Sequence, residues 1–376
     1  MSKRIFMVNR TLGNGGIERN TLNLSNRLIE NGYEVHIILL SNIVMHDVNP
    51  KIKLHILENF LKNPFSIFIR ALNKILPIIS LELIANYYKN IFLKELKKLE
   101  DTYGKANTIF IHGFGAYSCL YKIQDERFII SSRNTKSAFI KTKAPQILHF
   151  MIKKTLRKML DNKIIIAVSE GIKNDWLNNI KIKPKSIVTI YNPIDFNMIS
   201  EKSEATVDYI NPYILHVGRF VKEKRHDLLL ESFSKIENKE IHLLLLGNGP
   251  LQNSIIEIIE KLNLSKRVTL LGFDTNPYKW MKNAKLLVLA SDHEGLPTVL
   301  IEALVCKTTV VSTNCPSGPD EILMGTLSEY LVEVNNSKAL TNKINYALKN
   351  KISFINGLER FDSKHIIQQY INLIEG

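Results

Sequence analysis

Short apolar segments alternate with segments of helical periodicity along the whole chain, and no other property of the sequence restricts the possible folds so strongly. The apolar segments are rich in Ile, Val and Leu, which is typical of strands buried on both faces. Helices between successive strands produce parallel sheets, so an α/β fold is predicted. The predicted strands are Ile5–Val8, Val35–Leu40, Thr108–His112, Phe128–Ser131, Ile164–Ser169, Ile214–Val217, Ile241–Leu246, Val268–Leu271, Leu286–Ala290, Thr309–Ser312 and Tyr330–Val334.

The chain is long enough for two such domains. It has 376 residues, of which 45% are hydrophobic, so each half can bury its own core. A boundary is predicted near 196–212, where a polar run lies between two Asn-Pro pairs. We therefore predict Rossmann-like domains over 1–205 and 206–355, followed by a terminal segment, 356–376, that contains a helix with one apolar face.

Several classes of protein are disfavoured by the composition. No apolar run approaches the ~20 residues needed to span a bilayer, and the N-terminus leads into a strand instead of an export signal, so a cytoplasmic protein is expected. Cys119, Cys306 and Cys315 are odd in number, widely spaced and without a CxxC pair. Neither a disulfide framework nor a zinc site is therefore expected.

The positive charge is concentrated in the first half of the chain. Of the net +14, all of the excess lies in residues 1–205, which contain 31 Lys+Arg and 17 Asp+Glu, whereas residues 206–376 contain 19 of each. A basic domain fits nucleic acid, anionic lipid or a phosphorylated acceptor, and net charge alone does not choose among them.

Two carboxylates lie eight residues apart in a segment that predicts the start of a helix, Glu294 to Glu302. Pro297 suits the first turn of a helix because its missing N–H costs nothing there. The unpaired N–H groups and the positive dipole end around 295–298 favour a phosphate, and both carboxylates can accept hydrogen bonds from sugar or ribose hydroxyls. The alternative is an ordinary capped helix with two surface glutamates.

A basic loop follows the first predicted strand of the second domain. Gly218 allows the chain to turn, and Arg219 and Lys224 are spaced to converge on one anion. Arg supplies a planar fork and Lys a mobile point charge, a combination that suits a diphosphate and the charge developing on a departing nucleoside diphosphate. A solvated basic turn is the alternative.

Two glycine-rich loops also follow predicted strands. Gly15 and Gly16 come after the first strand, and Gly249 lies in a Gly-Asn-Gly-Pro segment, 247–250. Glycine allows backbone to approach a ligand closely, although such a loop is often only a tight connection.

Together these motifs resemble, in order, those of the retaining glycosyltransferases of family four, which have the GT-B fold. The segment 15–18 resembles the GG-x-E loop, 218–224 the G-R-x4-K motif, 247–250 the G-x-G-P loop and 294–302 the E-x7-E signature. The resemblance extends from residue 1 to the end and is strongest over 213–322. It implies two Rossmann-like domains with parallel sheets facing an interdomain cleft, and a last helix that crosses back onto the first domain.

The resemblance also implies an activity. It predicts transfer of a hexose or N-acetylhexosamine from a nucleoside-diphosphate sugar to a saccharide acceptor, with retention of configuration. UDP is the expected nucleotide. In this interpretation Glu302 holds the ribose, and Glu294 with the backbone of 295–298 holds the sugar and distal phosphate. Arg219 and Lys224 stabilise the leaving diphosphate, so neither a metal nor another cofactor is expected.

Three further residues are assigned by the resemblance. His112 ends a predicted strand where the family has a histidine that faces the donor sugar, although a lone histidine there is more often structural. Phe273, after another strand, is placed to flank the nucleobase, with a core phenylalanine as the alternative. Arg133 departs from the family, because many relatives have a histidine at this position, and a phosphate contact is its candidate role.

Two segments combine basic and apolar residues. Residues 60–99 carry seven Lys/Arg and two acids, and 136–163 carry eight and one. Such segments fit peripheral binding to anionic lipid and a lipid-linked diphosphate acceptor; packing on the first sheet is the alternative. The apolar residues are Phe65, Phe68, Ile69, Leu72, Ile75, Leu76 and Ile79 in the first segment, and Phe139, Ile147, Leu148, Phe150, Met151 and Ile152 in the second.

Two other functions remain open from the sequence. A nucleotide-sugar epimerase has a similar two-domain fold and also binds UDP, but it consumes donor without an acceptor. A basic nucleic-acid or membrane-binding protein without catalysis is disfavoured by the complete Glu and Arg/Lys sets. We therefore expect a transferase of cell-surface polysaccharide synthesis on the inner face of the membrane, with no nucleic-acid partner; the donor, the acceptor and the oligomeric state are not specified.

Overall fold

The computed structural model of the protein describes residues 3–13, 15–57, 60, 77–138, 140, 144–352 and 357–376, with only the backbone for 77–81. The chain forms two compact units, one of residues up to Pro193 together with Ser363–Gly376, and one of Ile194–Asp362. Each contains one parallel sheet with helices between successive strands. The predicted α/β fold is thereby confirmed.

The first unit has a seven-stranded sheet with the order β3-β2-β1-β4-β5-β6-β7, in which the paired strands are parallel. Its strands are β1 Arg4–Asn9, β2 Glu34–Leu39, β3 Lys53–Ile56, β4 Thr108–His112, β5 Phe128–Ser132, β6 Ile164–Ala167 and β7 Ser186–Thr189. Its helices are α1 Gly16–Glu30, α2 Pro77–Tyr103, α3 Gly113–Leu120, α4 His149–Leu160 and α5 Glu170–Asn174, and a π-helical segment spans Asp175–Ile180.

The second unit has a six-stranded parallel sheet with the order β10-β9-β8-β11-β12-β13. Its strands are β8 Tyr213–Val217, β9 His242–Leu246, β10 Val268–Gly272, β11 Leu286–Leu289, β12 Val310–Thr313 and β13 Leu331–Val332. Its helices are α6 Phe196–Ser203, α7 His226–Ser234, α8 Gln252–Lys261, α9 Pro277–Asn283, α10 Thr298–Val305, α11 Pro319–Ile322 and α12 Ser337–Lys349; α13, Ser363–Glu375, returns to the first unit.

Central strands match the predicted apolar runs, whereas β3 and β7 were not predicted. Both lie at the edges of the first sheet. Their burial is only partial, and their sequences, Lys-Leu-His-Ile and Ser-Ile-Val-Thr, lack a continuous apolar run. An edge strand has one neighbour and little cover, so apolar content is a weak signal for it.

The division between the units lies earlier than the position 205/206 expected from composition. The N–H of Ile194 donates to the carbonyl of Phe361, and Asp195 caps α6 by accepting from the N–H of Met198. Helix α6 then packs on α9 and α10. Residues 194–205 therefore belong to the second unit, because their hydrogen bonds and packing are made there.

Helix α13 completes the core of the first unit. Tyr370 and Ile366 are buried in one apolar cluster with Ile5 and Met7 of β1 and Leu28 of α1. The rings of Tyr370 and Phe110 meet edge to face with their centroids 5.7 Å apart. The helix thus covers one face of the first sheet, although its sequence follows the whole second unit.

Helix α2 packs through one face. Ala85, Tyr88, Phe92 and Leu96 recur at helical spacing and are all buried, so this part of the basic segment 60–99 is used in packing. The predicted apolar residues Phe65, Phe68, Ile69, Leu72, Ile75 and Leu76 lie outside the described residues, as does the side chain of Ile79. In the part of the chain that the structure describes, no helix is long and apolar enough to span a bilayer.

Candidate functional site

The predicted site residues lie at the carboxyl ends of neighbouring central strands. In the first unit the strand order reverses between β1 and β4, and in the second between β8 and β11. Loops diverge at such a switch point and leave a crevice, which is where open α/β sheets bind ligands. Gly15 and Gly16 follow β1 and His112 is the last residue of β4, while the Gly218–Lys224 loop follows β8 and Glu294 follows β11.

Lys224 and Glu294 form an ion pair in the second unit. The Lys224 ammonium donates to Oε1 of Glu294 at 2.6 Å, and the two side chains are 21% and 12% exposed. The pair forms although 70 residues separate its members, because β8 and β11 are adjacent. A largely desolvated pair of this kind holds both side chains more firmly than an exposed one.

Two further contacts join the same loops. The N–H of Asp292 donates to the carbonyl of Glu223 at 2.9 Å, and the Arg225 guanidinium pairs with Asp292 at 2.9 Å. Arg225 has φ +51°, a left-handed conformation that is unusual for a residue with a side chain. The loop containing Lys224 is therefore fixed on the loop containing Glu294 from both sides of the ion pair.

The backbone of Gly295–Pro297 leads into α10, which begins at Thr298 with Pro297 as its N-cap. Gly295 and Leu296 are buried, and the Ser317 hydroxyl donates to the Gly295 carbonyl at 2.7 Å. Gly318 has φ +100°, and a Cβ there would lie 2.5 Å from Cδ of Pro297. The loop before α11 thus supports the start of α10 from behind, and only glycine fits at its point of closest approach.

Glu302 lies inside α10 and is buried, with 7% of its surface exposed. It is therefore not the surface glutamate of the alternative interpretation. Nor is Glu294, which is only 12% exposed in its pair with Lys224. Both carboxylates are built into the packed carboxyl-end region of the second sheet.

Arg219 is exposed, and its side chain makes no ion pair within the part of the chain that the structure describes. It lies in the same loop as Lys224, but convergence of the two cations on one point is not observed. Gly218 lies beneath the stem of Lys224, since a Cβ there would be 3.6 Å from both Cδ and Cε of the lysine. The lysine is thus directed by packing, whereas the arginine is left exposed.

The Gly247–Pro250 loop packs tightly on the Gly218–Phe220 turn. A Cβ on Gly247, which has φ +147°, would lie 2.0 Å from the Gly218 carbonyl oxygen, and a Cβ on Gly249 would lie 2.5 Å from that of Phe220. The N–H of Phe220 donates to the carbonyl of Asn248 at 2.8 Å. These glycines are required by loop-on-loop packing, and they position the basic loop.

Phe273 follows β10 and is 45% exposed. The alternative interpretation of this residue as part of the core is therefore wrong. Gly272 before it has φ +74° and accepts a hydrogen bond from Gly247 N–H at 2.7 Å. The ring is left on the surface at the carboxyl end of the sheet, beside the Gly247 loop.

Sequence reasoning missed two buried histidines beneath the basic loop. His216 and His226 meet edge to face at 4.8 Å, and burial lowers the pKa of His216 to about 4 and that of His226 to about 2, with the charge of Lys224 acting in the same direction. Nδ1 of His216 donates to the Val288 carbonyl at 2.9 Å. The available signal was a histidine inside an otherwise apolar strand, Tyr-Ile-Leu-His-Val.

In the first unit, Gly15 is the N-cap of α1 and Gly16 its first residue. The Glu18 carboxylate lies over Gly15, where a Cβ would approach it to 2.2 Å, whereas a Cβ on Gly16 would meet no heavy atom of the described chain within 4 Å. The two glycines therefore differ, because Gly15 makes room for Glu18 and Gly16 leaves an open backbone surface.

His112 and Arg133 meet at the ends of β4 and β5. Both are buried, and Nη2 of Arg133 lies 3.1 Å from Nδ1 of His112, while Nη1 donates to the Asn192 side-chain oxygen at 2.7 Å. Burial, and secondarily the charge of Arg133, lowers the pKa of His112 well below its usual value. A recess with an empty volume of about 400 Å³, part of it open to solvent, adjoins Arg133 and is lined by Ile17, Gly113, Phe114, Ser131, Arg133 and Lys136 among others.

Comparison with known proteins agrees with this geometry. Residues 14–197 match the family model described as Glycosyltransferase Family 4, and residues 200–364 the model described as Glycosyl transferases group 1. The chain is similar in fold to sucrose-phosphate synthase from Thermosynechococcus elongatus (TM-score 0.76, 18% identity, 99% and 98% of the two chains covered) and to an Anabaena protein solved with UDP and glucose (TM-score 0.71, 16% identity, 99% of each chain covered).

A curated relative extends the agreement to the sequence. It is the N-acetylgalactosamine-N,N'-diacetylbacillosaminyl-diphospho-undecaprenol 4-alpha-N-acetylgalactosaminyltransferase of Campylobacter jejuni, which is 30% identical over 354 residues and covers 91% of each chain. Similarity at this level over nearly the full length is shared by members of one family, and the chain therefore belongs to glycosyltransferase family 4, as an enzyme of the GT-B fold.

Proposed function

We propose that the protein transfers a hexose or N-acetylhexosamine, with retention of configuration, from a nucleoside-diphosphate sugar to a lipid-linked saccharide in the synthesis of a cell-surface polysaccharide. The observation that carries the proposal is the Lys224–Glu294 pair beside the start of α10. It places a cation, a carboxylate and a helix N-terminus at one edge of the second sheet.

The diphosphate of the donor is the group that this cationic edge suits. Lys224 has three N–H groups and donates one to Glu294, so two remain for phosphate oxygens. Arg219 adds an exposed fork for a second phosphate. The two cations neutralise the charge that develops on the leaving diphosphate, and we propose that no metal is required.

The sugar and nucleoside take the neighbouring positions. Glu294 accepts hydrogen bonds from sugar hydroxyls while Lys224 keeps it oriented, and Glu302 accepts those of the ribose. Phe273 offers a half-exposed ring beside the nucleobase. We propose UDP as the nucleotide, in agreement with the ligand of the structurally similar Anabaena protein.

The proposed retention needs no protein nucleophile. The leaving phosphate takes the acceptor proton on the face from which it departs, so the new bond forms on that face. The name of the Campylobacter relative describes an α-linked product on a diphospho-undecaprenol acceptor, which supports an acceptor of the same chemical class here.

Nucleoside diphosphate release tests the proposal. Purified protein is incubated with UDP- and GDP-sugars, with and without polyprenyl-diphosphate saccharides, and with EDTA in parallel. Acceptor-dependent release of UDP that persists in EDTA is expected. Loss of donor without acceptor would instead indicate an epimerase, and dependence on added metal would overturn the metal-free chemistry.

We further propose that the protein binds the cytoplasmic face of the membrane through one surface. This surface consists of Ile147, Phe150 and Met151, and we call it the Phe150 patch. Their side chains are 84%, 69% and 50% exposed. Lys154 on the same helix is also exposed, so apolar and basic groups meet on one surface, as in helices that bind anionic lipid.

Vesicle flotation tests the patch. Replacing Ile147 and Phe150 together with Ser should weaken binding to phosphatidylglycerol vesicles by about tenfold or more, given the apolar area removed. Ile210→Ser is the matched control, because Ile210 is 96% exposed in the second unit. Equal flotation of the double variant and the wild type would exclude the Phe150 patch.

A further inference from the structure

Arg225 has a backbone conformation that is unfavourable for a residue with a side chain. Its φ is +51°, in the left-handed region, where a Cβ crowds the backbone and only glycine is free of that strain. The residue directly follows Lys224 and is the N-cap of α7. Its side chain is 20% exposed. A strained residue persists where its surroundings hold it, so the contacts of this guanidinium show what the conformation provides.

The guanidinium joins three loops at the carboxyl end of the second sheet. Nη1 donates to Oδ1 of Asp292 at 2.9 Å and also to the side-chain oxygen of Asn335. Asp292 follows β11 and Asn335 follows β13, whereas Arg225 lies in the connection from β8 to α7. Because the strand order is β8-β11-β12-β13, one side chain connects loops that belong to both ends of this set of strands.

Asp227 orients the guanidinium. Nε of Arg225 donates to Oδ1 of Asp227 at 3.0 Å, and Nη2 donates to Oδ2 at 3.0 Å. A two-point contact of this kind fixes the plane of the fork as well as its position. All three nitrogens of the guanidinium therefore donate, and a lysine ammonium cannot reproduce this set because it is a point charge.

The same two loops contain the proposed donor-binding pair. Lys224 precedes Arg225 in the chain, and Glu294 follows Asp292 closely. The Lys224 ammonium donates to Oε1 of Glu294 at 2.6 Å, and the N–H of Asp292 donates to the carbonyl of Glu223 at 2.9 Å. Two contacts between a cation and a carboxylate thus connect the loop after β8 with the loop after β11.

We infer that Arg225 is a positioning residue that sets the spacing of Lys224 and Glu294 before the donor binds, by linking the loops after β8, β11 and β13. Its role in binding rests on the proposed function, because that function makes the pair a site for a nucleoside diphosphate. Its role in setting the spacing does not. The contacts of the guanidinium offset the strain of the backbone, whereas a glycine would relieve the strain and leave the loops unlinked.

This positioning has a kinetic signature. A donor that binds a pair already in place loses no free energy in ordering the two loops. Loss of the link should therefore weaken donor binding more than it slows the bound complex. A purely structural role predicts the opposite result, because a smaller folded fraction lowers kcat and leaves the donor KM unchanged.

Four variants separate these roles. Arg225→Gly removes the guanidinium and the backbone strain together, so weaker donor binding cannot come from strain. Arg225→Lys keeps the charge without the fork, and Asp292→Asn keeps an oxygen acceptor without the charge. Lys307→Gly is the matched control, because Lys307 is also a basic residue of the second unit with a left-handed φ, +61°. Its side chain is exposed and makes no ion pair or hydrogen bond with the residues that the structure describes.

Calorimetric titration with UDP and steady-state kinetics measure the effect on binding. Arg225→Gly should weaken UDP binding and raise the donor KM by about tenfold, with kcat changed by less than about twofold. Arg225→Lys and Asp292→Asn should lie between this variant and the wild type, and Lys307→Gly should match the wild type. Unchanged UDP affinity and donor KM in Arg225→Gly would overturn the inference.

A double-mutant cycle measures the positioning without any ligand. Urea denaturation of Lys224→Met, Glu294→Gln and the double variant gives the coupling free energy of the pair, first in the wild type and then in Arg225→Gly. We expect the coupling to fall by about half or more without the guanidinium, and to persist in Lys307→Gly. Asp292→Asn serves as a second background, in which a smaller decrease is expected.

The cycle and the binding assay fail in different ways. Unchanged coupling in both the Arg225→Gly and the Asp292→Asn backgrounds would overturn the inference, whether or not the protein is a transferase. Absence of UDP binding and of transfer by the wild type, together with reduced coupling, would instead reject the proposed function and support the positioning role of Arg225.

Discussion

At the scale of single residues, the largely buried pair of Lys224 and Glu294 differs from the other lysine–glutamate contacts of the second unit. Lys235 and Glu231, for example, form a pair of the same length, 2.6 Å, at the end of α7 with both side chains about half exposed. An exposed pair contributes little to stability, because water competes for both charges. A shielded pair keeps its geometry, which is what recognition of a phosphate and a sugar hydroxyl requires.

We therefore predict that Lys224→Met and Glu294→Gln each lower kcat by at least about 100-fold, the range found when one preorganised electrostatic group is removed. Circular dichroism should show the native fold in both. Lys235→Met is the matched control and should retain wild-type turnover. Activity near that of the wild type in either site variant would contradict the assignment.

Gly249 and Gly16 give opposite predictions for the same substitution. Gly249→Ala places a Cβ 2.5 Å from the Phe220 carbonyl oxygen, so the basic loop must move; a loss of about 1–3 kcal/mol of stability and a higher KM for donor are expected. The Cβ added by Gly16→Ala lies in open space at the start of a helix, so the stability of this variant should be unchanged or slightly higher. Urea denaturation measures both.

Gly16→Ala also tests whether the glycine-rich loop at the start of α1 binds a ligand. If ligand backbone contacts are made there, the variant loses activity without losing stability. Wild-type kinetics in Gly16→Ala would mean that the glycine serves only the connection between β1 and α1.

At the scale of elements, α13 shows how a short amphipathic helix obtains its stability from packing. Its buried residues Ile366, Ile367 and Tyr370 join the core cluster of the first unit, while Gln368 is exposed on the opposite face. A helix of 13 residues is marginal by itself, so the cluster supplies most of what holds it.

Tyr370→Ala should destabilise the first unit by about 3 kcal/mol or more, since a buried aromatic ring is replaced by a cavity. Gln368→Ala on the same helix should change stability by less than about 0.5 kcal/mol. Thermal and urea unfolding of the two variants compares them directly. Equal stability of the two would show that α13 is not part of the folded core.

At the scale of the whole molecule, buried neutral histidines occur in both units and couple folding to pH. The pKa of His36 is lowered to about 4, that of His216 to about 4 and that of His226 to about 2, in each case chiefly by burial. In the unfolded chain these rings titrate near pH 6.5. The unfolded state therefore binds more protons below that pH, and the stability present above it is lost as the pH falls towards the folded values.

Urea denaturation should accordingly show a stability plateau above about pH 7 and a steep decrease below about pH 6.5. One such ring lowers the free energy of unfolding by about 2 kcal/mol when the pH falls from about 7.5 to about 5. His226→Phe preserves the aromatic packing on Phe220 and removes one titrating group. The variant should therefore lose less stability than the wild type over the same pH interval. A pH dependence identical to that of the wild type would contradict the burial of a neutral His226.

The fold class and the central strands were predictable from the sequence, because a strand buried on both faces must be apolar along its whole length. The glycine, Arg/Lys and glutamate motifs were predictable for a related reason: each follows such a strand, and the carboxyl ends of parallel strands lie at one edge of a sheet. The edge strands β3 and β7 were not predictable from the sequence, because they are only partly buried and need no continuous apolar run.

Other features depend on contacts between residues that are far apart in the chain. The pairing of Lys224 with Glu294 requires the adjacency of β8 and β11, and the assignment of residues 194–205 to the second unit follows from hydrogen bonds to 361 and packing of α6. The contact of Arg133 with Nδ1 of His112 likewise requires the adjacency of β4 and β5. Local patterns specify which segments become strands and helices, whereas burial and pairing arise only when the sheets bring distant loops together.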